Sequence, residues 1–549
     1  MNLTRPDRRS RPFGTARLAA VVTVAAAASL VLAACGGTDT TDPAGSAGAA
    51  GATGEPTAGG DLTIGTYLDP VCIDNQQIGT NASLSVTRQI VDSLTEQDPE
   101  TGEILPWLAT EWTTNADSSV FTFVLRDDVT FSDGTAFTAE SVKTNLDAIV
   151  ALGAKSPLAG PYLAGLTGVT VVDPTTVEIA FDRPNAQFLQ ATSNIALGMV
   201  SDATSAMTAD ERCAAGVVGT GPFTLDSYVA NDSVVLSKRD GYAWAPPSSS
   251  NTGEAYLDTV TFQVLPENSV RTGALLSGQI DAMDNVQQQD EAMVSSGGFS
   301  IISRPNPGFA VSILFKLDGP VGSDPAVRRA MMIGIDRADA LAVLGPTGAE
   351  TLGLLTPTTP GAVDLSEFLA PDPAEAATIL DEAGWEEGED GVREKDGVRL
   401  ELDFPYFFDG PVVELLQQEY AKLGIQLNIR QITAGEFIAT QESGDFDATV
   451  GNLTRADIDV LRSLMTSAGA NYFRFADPSL QDLLVAQAAE PDATARADIA
   501  QQAQELVLEN AYAVPLHAMA GTYAVRDGVE GLAFEASTRL SLIDTHLTD

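Results

Sequence analysis

The residues best suited to catalysis or metal binding are scarce and widely separated in this chain. His517 and His546 are its only histidines, and His517 lies in an apolar segment, where a buried, hydrogen-bonded histidine is the ordinary expectation. Adjacent acids at 127–128 and at 386–387 face different ways because they are neighbours in sequence, which favours solvated charge over an acid–base pair. The sequence therefore predicts neither a histidine-built metal site nor acid–base catalysis.

The motifs that usually mark catalytic chemistry are missing from the sequence. It contains no GxxxxGK[ST], GxSxG, HExxH or CxxC, the usual signatures of phosphoryl transfer, serine hydrolysis and zinc chemistry. The glycines of GVVGTGPF resemble a phosphate loop, but Pro222 blocks continuation into a helix and favours a turn. The acidic surface leaves calcium open, but no loop has calcium-ligand spacing. No cofactor and no metal are predicted.

Cys35 ends an apolar run near the start of the chain. Five arginines precede the run at 18–34, and this layout is typical of an export signal. The run is also short for a membrane span. Its ending, LAAC, resembles the lipobox of bacterial lipoproteins, in which the cysteine is acylated after cleavage. We predict a signal peptide at 1–34 and lipidation at Cys35; an uncleaved membrane helix is the alternative.

The composition after Cys35 predicts a tether and an acidic folded part. Residues 35–60 are mostly Gly, Ala, Thr, Ser and Pro, so we expect a flexible linker. The chain has 30 Lys+Arg and 75 Asp+Glu, a net charge of −45. Losing residues 1–34, with five arginines and one aspartate, leaves −49. This charge argues against nucleic acid or an anionic membrane surface as a partner.

Cys72 and Cys213 remain once Cys35 is assigned to lipid. An even pair of cysteines in an oxidising compartment points to a disulfide, with two separate buried thiols as the alternative. The bridge would close a loop of more than a hundred residues. The chain-entropy model gives such a loop a stabilisation of roughly 4–5 kcal/mol.

The first half of the folded part mixes strand and helix patterns. Turn residues predict hairpins at 173–174 and at 231–232, and a helix that ends at Gly278 before a short strand. Thr138 is placed to cap another helix. The inward-facing residues of the strand and helix around that cap are predicted to be Phe121, Phe123, Leu125, Val142, Leu146, Ile149 and Val150.

The second half alternates helix and strand more regularly. Asp372 as N-cap and Glu375 three residues later form a predicted capping box. A helix starting at Pro411 is followed by a strand after Gly424. The last helix, at about 493–510, leads into the apolar segment AYAVPLHAMAGTYAV, which could return to the first half. The length after the linker also exceeds one compact core, so at least two lobes are expected.

Six segments occur in an order typical of one family. They are GGDLTIGTYLDP, ILPWLATEWTTNADSSVFTFVLRDDVTFSDGTAFTAESV, GVVGTGPFTL, LLSGQIDAM, PAVRRAMMIGIDRADAL and DPAEAATILDEAGW. Together they resemble the family 5 extracellular solute-binding proteins, the peptide- and nickel-binding components of ABC importers. The resemblance runs from about Gly59 onward.

This resemblance implies an α/β, two-lobed periplasmic-binding-protein-like fold of type II, with a ligand cleft between the lobes. Lobe I is expected at 61–305 and 512–549, with an inserted subdomain at about 89–215. Lobe II is expected at 306–511. Lobes hinged in this way close around a ligand.

The resemblance also implies where a peptide would bind. In relatives, an aspartate after a strand similar to DFDATVGNL receives the peptide's amino terminus, which here indicates Asp457, with Asp459 as the alternative. Arg455 or Arg462 would instead take a carboxylate. The other interpretation of Asp457 is a helix cap in a solvated loop. Further ligand-binding candidates are Asn452, Tyr67 and Tyr406, the tyrosines and their neighbours Phe407 and Phe408 serving either in stacking or in the core.

The function expected from the resemblance is capture of a small ligand for an importer. Scarce histidines favour a peptide over nickel, while sugars and other amines stay open. The implied partners are the permease subunits and, through the lipid, the outer face of the membrane, with the protein a monomer. A sensing or interaction lipoprotein on the same scaffold and a tethered enzyme are the alternatives.

Overall fold

The computed structural model describes residues 56–467 and 471–548. Cys35, the predicted signal peptide at 1–34 and most of the predicted linker at 35–60 lie outside the described residues. The strands are β1 (Asp61–Thr66), β2 (Thr95–Gln97), β3 (Ile104–Pro106), β4 (Ala109–Thr114), β5 (Val120–Leu125), β6 (Leu166–Asp173), β7 (Thr176–Phe181), β8 (Phe223–Val229), β9 (Ser233–Lys238), β10 (Thr259–Val264), β11 (Ala282–Asp284), β12 (Ser300–Pro305), β13 (Gly308–Phe315), β14 (Gly348–Ala349), β15 (Glu386–Glu387), β16 (Arg393–Lys395), β17 (Val398–Arg399), β18 (Glu401–Tyr406), β19 (Gln426–Gln431), β20 (Ala448–Thr454), β21 (Ala513–Val525), β22 (Val529–Glu530), β23 (Ala533–Phe534), β24 (Leu540–Ser541) and β25 (His546–Leu547).

Helices cover both halves of the fold. The α-helices are α1 (Asn81–Thr87), α2 (Ala139–Leu152), α3 (Ala159–Tyr162), α4 (Phe188–Ala191), α5 (Asp202–Ser205), α6 (Ala209–Ala215), α7 (Asn268–Leu276), α8 (Gln288–Ser296), α9 (Pro325–Ile333), α10 (Arg337–Leu344), α11 (Pro373–Glu382), α12 (Gly410–Ala421), α13 (Ala434–Ser443), α14 (Val460–Met465), α15 (Pro478–Ala489) and α16 (Ala493–Glu509). Single 3₁₀ turns lie at Gly153–Lys155, Ile195–Leu197, Gly345–Thr347 and Ser366–Leu369. Within 56–467 and 471–548, no helix combines the length and the hydropathy needed to cross a bilayer.

Buried apolar side chains form two large clusters, which define two lobes. The core of lobe I runs from Leu62 to Phe262 and takes in Tyr523 to Ile543 from the later part of the chain. The core of lobe II runs from Phe309 to Leu516. The prediction of a two-lobed α/β fold is therefore confirmed.

One ten-stranded sheet runs through both lobes. Its strand order is β20-β13-β21-β11-β1-β10-β9-β8, with β12 and β14 also paired to β21. The first half of β21 pairs with β13 of lobe II, and its second half pairs with β12 and β11 of lobe I. The chain also passes from β12 to β13 through residues 306–307. Two extended crossings therefore join the lobes, as expected of a hinge.

Lobe I carries an additional four-stranded antiparallel sheet, β4-β5-β7-β6, with α2 packed on it. The predicted inward-facing residues of β5 and α2 are buried, except that Val150 is 53% exposed. That prediction was wrong because each helical residue turns about 100°, which carries Val150 past the buried face that Ile149 ends. Thr138 is the N-cap of α2, but its side chain makes no capping bond, contrary to prediction.

The local turn predictions hold in lobe I. The β6–β7 hairpin turns between Asp173 and Thr176, and the β8–β9 hairpin turns at Asn231, whose φ is 59°. Gly278, with φ of 71°, follows α7 and precedes β11. A disulfide joins Cys72 and Cys213 with 4.5 Å between the Cα atoms, which confirms the predicted bridge.

Lobe II contains the predicted helix–strand units. The parallel strands β18 and β19 are joined by α12, which begins at Gly410 with Pro411 in its first turn. The Asp372 carboxylate accepts the Glu375 N–H at 2.9 Å, but the Glu375 side chain does not bond back. The predicted capping box is therefore only half formed, since an acidic side chain at the exposed start of a helix is equally well solvated by water.

Candidate ligand-binding cleft

The segment after β20 is fixed against a crossing between the lobes. β20 pairs antiparallel with β13, and the Arg455 N–H donates to the Pro307 carbonyl at 3.0 Å. Gly308 has φ of 117°, and a Cβ atom there would lie 2.2 Å from the Leu453 carbonyl oxygen. Only glycine fits this close approach. The charged residues that follow Thr454 are thus held at the junction of the lobes.

Asp457 forms a bidentate ion pair with Arg496 from the first turns of α16. The two guanidinium nitrogens donate to the carboxylate oxygens at 2.6 and 2.8 Å. The side chains are 8% and 12% exposed, respectively. Burial alone raises the pKa of a carboxyl group, but the Arg496 guanidinium outweighs burial and holds the pKa of Asp457 below its usual value. Asp457 is therefore charged and already partnered within lobe II.

Asp459 is paired in the same way two residues later. Arg462 donates to its two oxygens at 2.7 and 2.6 Å, and Gln487 donates a further hydrogen bond. α14 begins at Val460 with Asp459 as N-cap, and within the described part of the chain the Asp459 N–H is the one backbone donor to Asp457. Asp457 is therefore a buried ion-pair residue rather than a cap in a solvated loop.

Arg455 reaches from lobe II to lobe I. Its Nη1 donates to Gln187 Oε1 at 3.1 Å and to Ser463 Oγ at 2.7 Å. Its guanidinium carbon lies 4.7 Å from the centre of the Tyr162 ring, a cation–π distance. Among the described residues, no carboxylate lies within salt-bridge distance of Arg455. Arg455 therefore links the two lobes directly.

Two further hydrogen bonds join the lobes beside Arg455. Gln97 Nε2 donates to the Ala456 carbonyl at 2.9 Å, and the Ala186 N–H donates to the Ala488 carbonyl at 2.9 Å. The lobe I partners, between Gln97 and Gln187, all lie in or beside the part of the chain that forms the additional sheet β4-β5-β7-β6. The lobes are therefore closed onto each other on that side.

A pocket of about 570 Å³ lies between the lobes next to these bonds. Its volume is in the range of small-molecule sites. Lobe I contributes Gln97, Ile104, Phe121, Leu189 and Gln190, and lobe II contributes Ala456, Asp457, Ile458, Pro491 and Arg496. A second pocket of about 340 Å³ shares Thr101, Gly102, Pro360 and Ala456 with the first. The larger pocket therefore combines apolar side chains with polar and charged ones, which also include Glu103 and Glu490.

The remaining predicted residues lie in different parts of the molecule. Tyr67, 38% exposed, follows β1, and its N–H donates to Asp284 at 2.9 Å. Asn452 Nδ2 lies 3.5 Å from Met519 Sδ on β21. Tyr406 is buried in the lobe II core. Asn452, Arg455, Asp457 and Asp459 lie on one segment, whereas among the described residues no hydrogen bond or ion pair joins Tyr67 or Tyr406 to these four.

The aromatic neighbours of Tyr406 are partly exposed. Phe407 is 40% exposed, and its ring centre lies 5.0 Å from that of Phe408 and 4.8 Å from that of Phe437. The loop that carries them ends at Asp409, whose carboxylate bonds His517 Nε2 at 2.8 Å. This cluster is a second surface on which an apolar ligand group could stack.

Sequence reasoning missed Arg496, Gln97 and Gln190 in this cleft. Arg496 stands in the segment PDATARADIA, where nothing local distinguishes it from a solvated helix residue. The one signal in the sequence was the positive charge of Arg496, because basic residues are scarce in this acidic chain. Within the described ranges, no group of three or more His, Cys, Asp or Glu side chains is arranged to hold a metal ion. The cleft is therefore equipped for hydrogen bonding and ion pairing.

Comparisons with known proteins agree with this architecture. The chain is 25% identical over 465 residues to the dipeptide-binding protein of Escherichia coli (strain K12), an alignment that covers 78% of this chain and 84% of that protein. The solved structure of NikA from Brucella suis in complex with Fe(III)-EDTA matches with a TM-score of 0.77 and 23% identity, covering 89% of this chain and all of that one. The oligopeptide-binding protein AppA from Bacillus subtilis, solved in complex with a nonapeptide, matches with a TM-score of 0.71 and 18% identity, covering 90% of this chain and 100% of that one.

A family model establishes the relationship. The model described as bacterial extracellular solute-binding proteins, family 5 middle, matches residues 103–473, which is more than half of the chain. The two lobes, the two crossings and the pocket between the lobes are the features that capture of a solute requires. The chain belongs to the family 5 extracellular solute-binding proteins of bacteria.

Proposed function

We propose that this protein captures a peptide between its lobes and delivers it to the permease of an ABC importer, and that it is not an enzyme. The observation that carries the proposal is the pocket of about 570 Å³ between two lobes joined by two extended crossings. A ligand that contacts both walls stabilises only the closed arrangement, which is how such a protein signals that it is loaded. The relatives named above support a peptide, since their names specify a dipeptide-binding and an oligopeptide-binding protein.

In this proposal the segment from Asn452 to Asp459 forms the lobe II wall of the site. Asp457 is the residue for the ligand's ammonium, with Asp459 as the alternative and Arg455 for a carboxylate. Asp457 Oδ1 accepts two bonds, whereas Oδ2 accepts one from Arg496 among the described contacts. A carboxylate oxygen has two acceptor positions, so Oδ2 has room for one ligand N–H while Arg496 stays in place. Tyr67 and Tyr406 complete the proposed set.

The lobe limits belong to the same proposal. Lobe I comprises 61–305 and 512–549, with the inserted subdomain at about 89–215, and lobe II comprises 306–511. The two clusters of buried side chains support the division near residue 306, because the lobe II cluster begins at Phe309. At the later limit, Ala513, Val514 and Leu516 belong to the lobe II cluster, so the change of lobe falls within β21.

The tether is proposed from the sequence. Cleavage after residue 34 and acylation of Cys35 hold the monomer at the outer face of the cell membrane, and residues 35–60 act as a leash. Tethering raises the effective concentration of the binding protein at its permease. Cys35→Ala should move the protein from the membrane fraction into the soluble fraction or leave it unprocessed. A Cys35→Ala protein that is processed normally and stays membrane-bound would contradict the lipid anchor.

Native mass spectrometry of the purified protein, combined with peptide uptake by a deletion strain, tests the function. We expect a retained peptide and lost uptake of that peptide. Binding with unchanged uptake would instead favour a sensing lipoprotein on the same scaffold. Turnover of the bound compound would favour an enzyme.

A further inference from the structure

Phe407, Phe408 and Phe437 form an aromatic cluster on lobe II that is partly uncovered. Phe407 is 40% exposed and is the one exposed phenylalanine in the described part of the chain. Its ring centre lies 4.8 Å from that of Phe437 and 5.0 Å from that of Phe408. Ile438, the next residue of α13, is 55% exposed. Apolar side chains that are exposed together, rather than singly, mark a surface that something else covers.

The cluster lies at the same edge of the lobe II sheet as the segment after β20. β18 and β19 are parallel. The Asp447 N–H donates to the Asp403 carbonyl at 3.0 Å, and Thr449 Oγ1 donates to the Pro405 carbonyl at 2.7 Å, so β20 runs beside β18 in the same direction. The loop after β18, the helix after β19 and the segment after β20 therefore all leave the carboxyl edge, where sheets of parallel strands bind ligands.

The crossing strand β21 connects this loop with the end of β20. His517 and Met519 lie on one face of β21, because alternate residues of a strand point the same way. His517 Nε2 bonds the Asp409 carboxylate at 2.8 Å, and Met519 Sδ lies 3.5 Å from Asn452 Nδ2. Met519 is itself 37% exposed. The aromatic cluster is therefore continuous with the lobe II wall of the cleft rather than a separate outer surface.

The acids that flank the rings in sequence are already bonded. Asp409 is the N-cap of α12 with φ of 65°, yet it makes no capping bond, because its carboxylate is turned to His517. The Glu436 carboxylate accepts the Thr433 N–H and the Thr433 hydroxyl, both at 2.9 Å. A charged ligand group would lose water at the rings without gaining an ion pair, so the surface suits an apolar group.

We propose that Phe407, Phe408 and Phe437 bind an apolar side chain of the captured peptide. Aromatic rings pack edge-to-face or offset against other rings and also cover long aliphatic chains, so the ligand class is a peptide with an aromatic or large aliphatic residue. The cluster thus selects among peptides by their side chains. The inference rests on the proposed function.

Retention of two synthetic peptide pools tests the proposal. One pool contains short peptides of Gly, Ala and Ser in random order, and the other contains the same peptides with one residue, at each position in turn, replaced by Phe or Leu. The protein is mixed with equal amounts of both pools, passed over gel filtration and analysed by mass spectrometry for retained peptides. We expect the wild type to retain the Phe/Leu pool at least tenfold better, because the cluster covers the added side chain.

Phe407→Ala should lower this retention ratio at least fivefold, while retention of the Gly/Ala/Ser pool stays at the wild-type level. Val398→Ala is the matched control. Val398 is 38% exposed and precedes β18, so it lies at the opposite edge of the same sheet, and its loss should leave the ratio unchanged. Phe407→Gln, which keeps a long side chain without the ring, replaces Phe407→Ala if the latter does not fold by circular dichroism.

The outcomes separate the inference from the function on which it rests. Equal retention of the two pools by the wild type, or an unchanged ratio in the folded Phe407 variant, would overturn the apolar site while leaving peptide capture intact. An equal loss in Val398→Ala would also overturn it, since the effect would not depend on the cluster. A wild-type protein that retains neither pool would contradict peptide capture itself, and the inference with it.

Discussion

The Asp457 carboxylate and the Arg496 guanidinium form a buried bidentate ion pair at the lobe II wall of the interlobe pocket, with N–O distances of 2.6 and 2.8 Å. The pair joins the segment after β20 to the start of α16. It therefore has a structural role in lobe II as well as a proposed role in binding.

Asp457→Asn should lower the free energy of unfolding by about 3–5 kcal/mol, because Arg496 would stay charged and buried without its partner. Chemical denaturation of the ligand-free protein measures the change. Asp390→Asn is the control, since Asp390 and its partner Arg399 are 57% and 40% exposed and such pairs contribute little. Equal stability of the Asp457 variant and the wild type would show that the pair is dispensable.

Arg455→Ala should open the lobes of the ligand-free protein. The change removes the hydrogen bond to Gln187 and the contact with the Tyr162 ring, two of the bonds between the lobes. Small-angle scattering should show a larger radius of gyration for the variant, and a smaller radius once ligand is added. Arg430→Ala is a suitable control because Arg430 pairs with Asp403 within lobe II. Identical scattering of both variants and the wild type would show that Arg455 does not hold the lobes closed.

Asp92 should make the stability of lobe I depend on pH. Burial raises the pKa of Asp92 to about 6, although Trp244 Nε1 donates to its carboxylate at 3.0 Å. Between about pH 4, the ordinary pKa of an aspartate, and pH 6, the folded state keeps a proton that the unfolded state has lost. The contribution of Asp92 to stability therefore falls as the pH rises through this window, by about 3 kcal/mol in total.

Asp92→Asn replaces the ionisable carboxyl group by an amide. The free energy of unfolding of the variant should therefore rise relative to that of the wild type as the pH rises from 3 to 7. Denaturant unfolding at several pH values measures the difference. Asp147→Asn, at an exposed site on α2, changes the same charge and should show no such gain. A pH-independent difference between Asp92→Asn and the wild type would contradict the raised pKa.

The disulfide should supply a large part of the stability of lobe I. Cys72 and Cys213 are 141 residues apart in sequence, and a loop of that size corresponds to about 4–5 kcal/mol in the chain-entropy model. Cys72→Ser/Cys213→Ser should lower the melting temperature of the oxidised protein by several degrees and make it insensitive to reductant. Alkylation of two thiols in the unreduced wild type would show that the bridge is absent.

The sequence predicted those parts of the fold that depend on neighbouring residues. The turns at 173–174 and 231–232 and the helix end at Gly278 follow from residues that favour turns or positive φ, so no distant partner is needed. The predicted helix caps agree less well with the structure. Thr138 and Glu375 occupy cap positions without the side-chain bonds expected of them, because solvent competes for the same groups.

The cleft could not be predicted to the same depth. Arg496 is 39 residues from Asp457, and their contact depends on how α16 packs against the segment after β20. Gln97 meets Ala456 only because the lobes close onto each other. Such contacts leave no local pattern, since a polar residue on a surface and a polar residue in a cleft have the same sequence neighbours.

The course of β21 through both lobes has a consequence for biosynthesis. Translation proceeds from the amino terminus, so residues 513–525 emerge after every strand with which they pair, namely β11, β12, β13 and β14. Until then the ten-stranded sheet lacks the strand that joins β13 to β11 and β12, and the edges of those strands stay unpaired, which favours proteolysis and aggregation. An interrupted chain therefore has neither lobe finished.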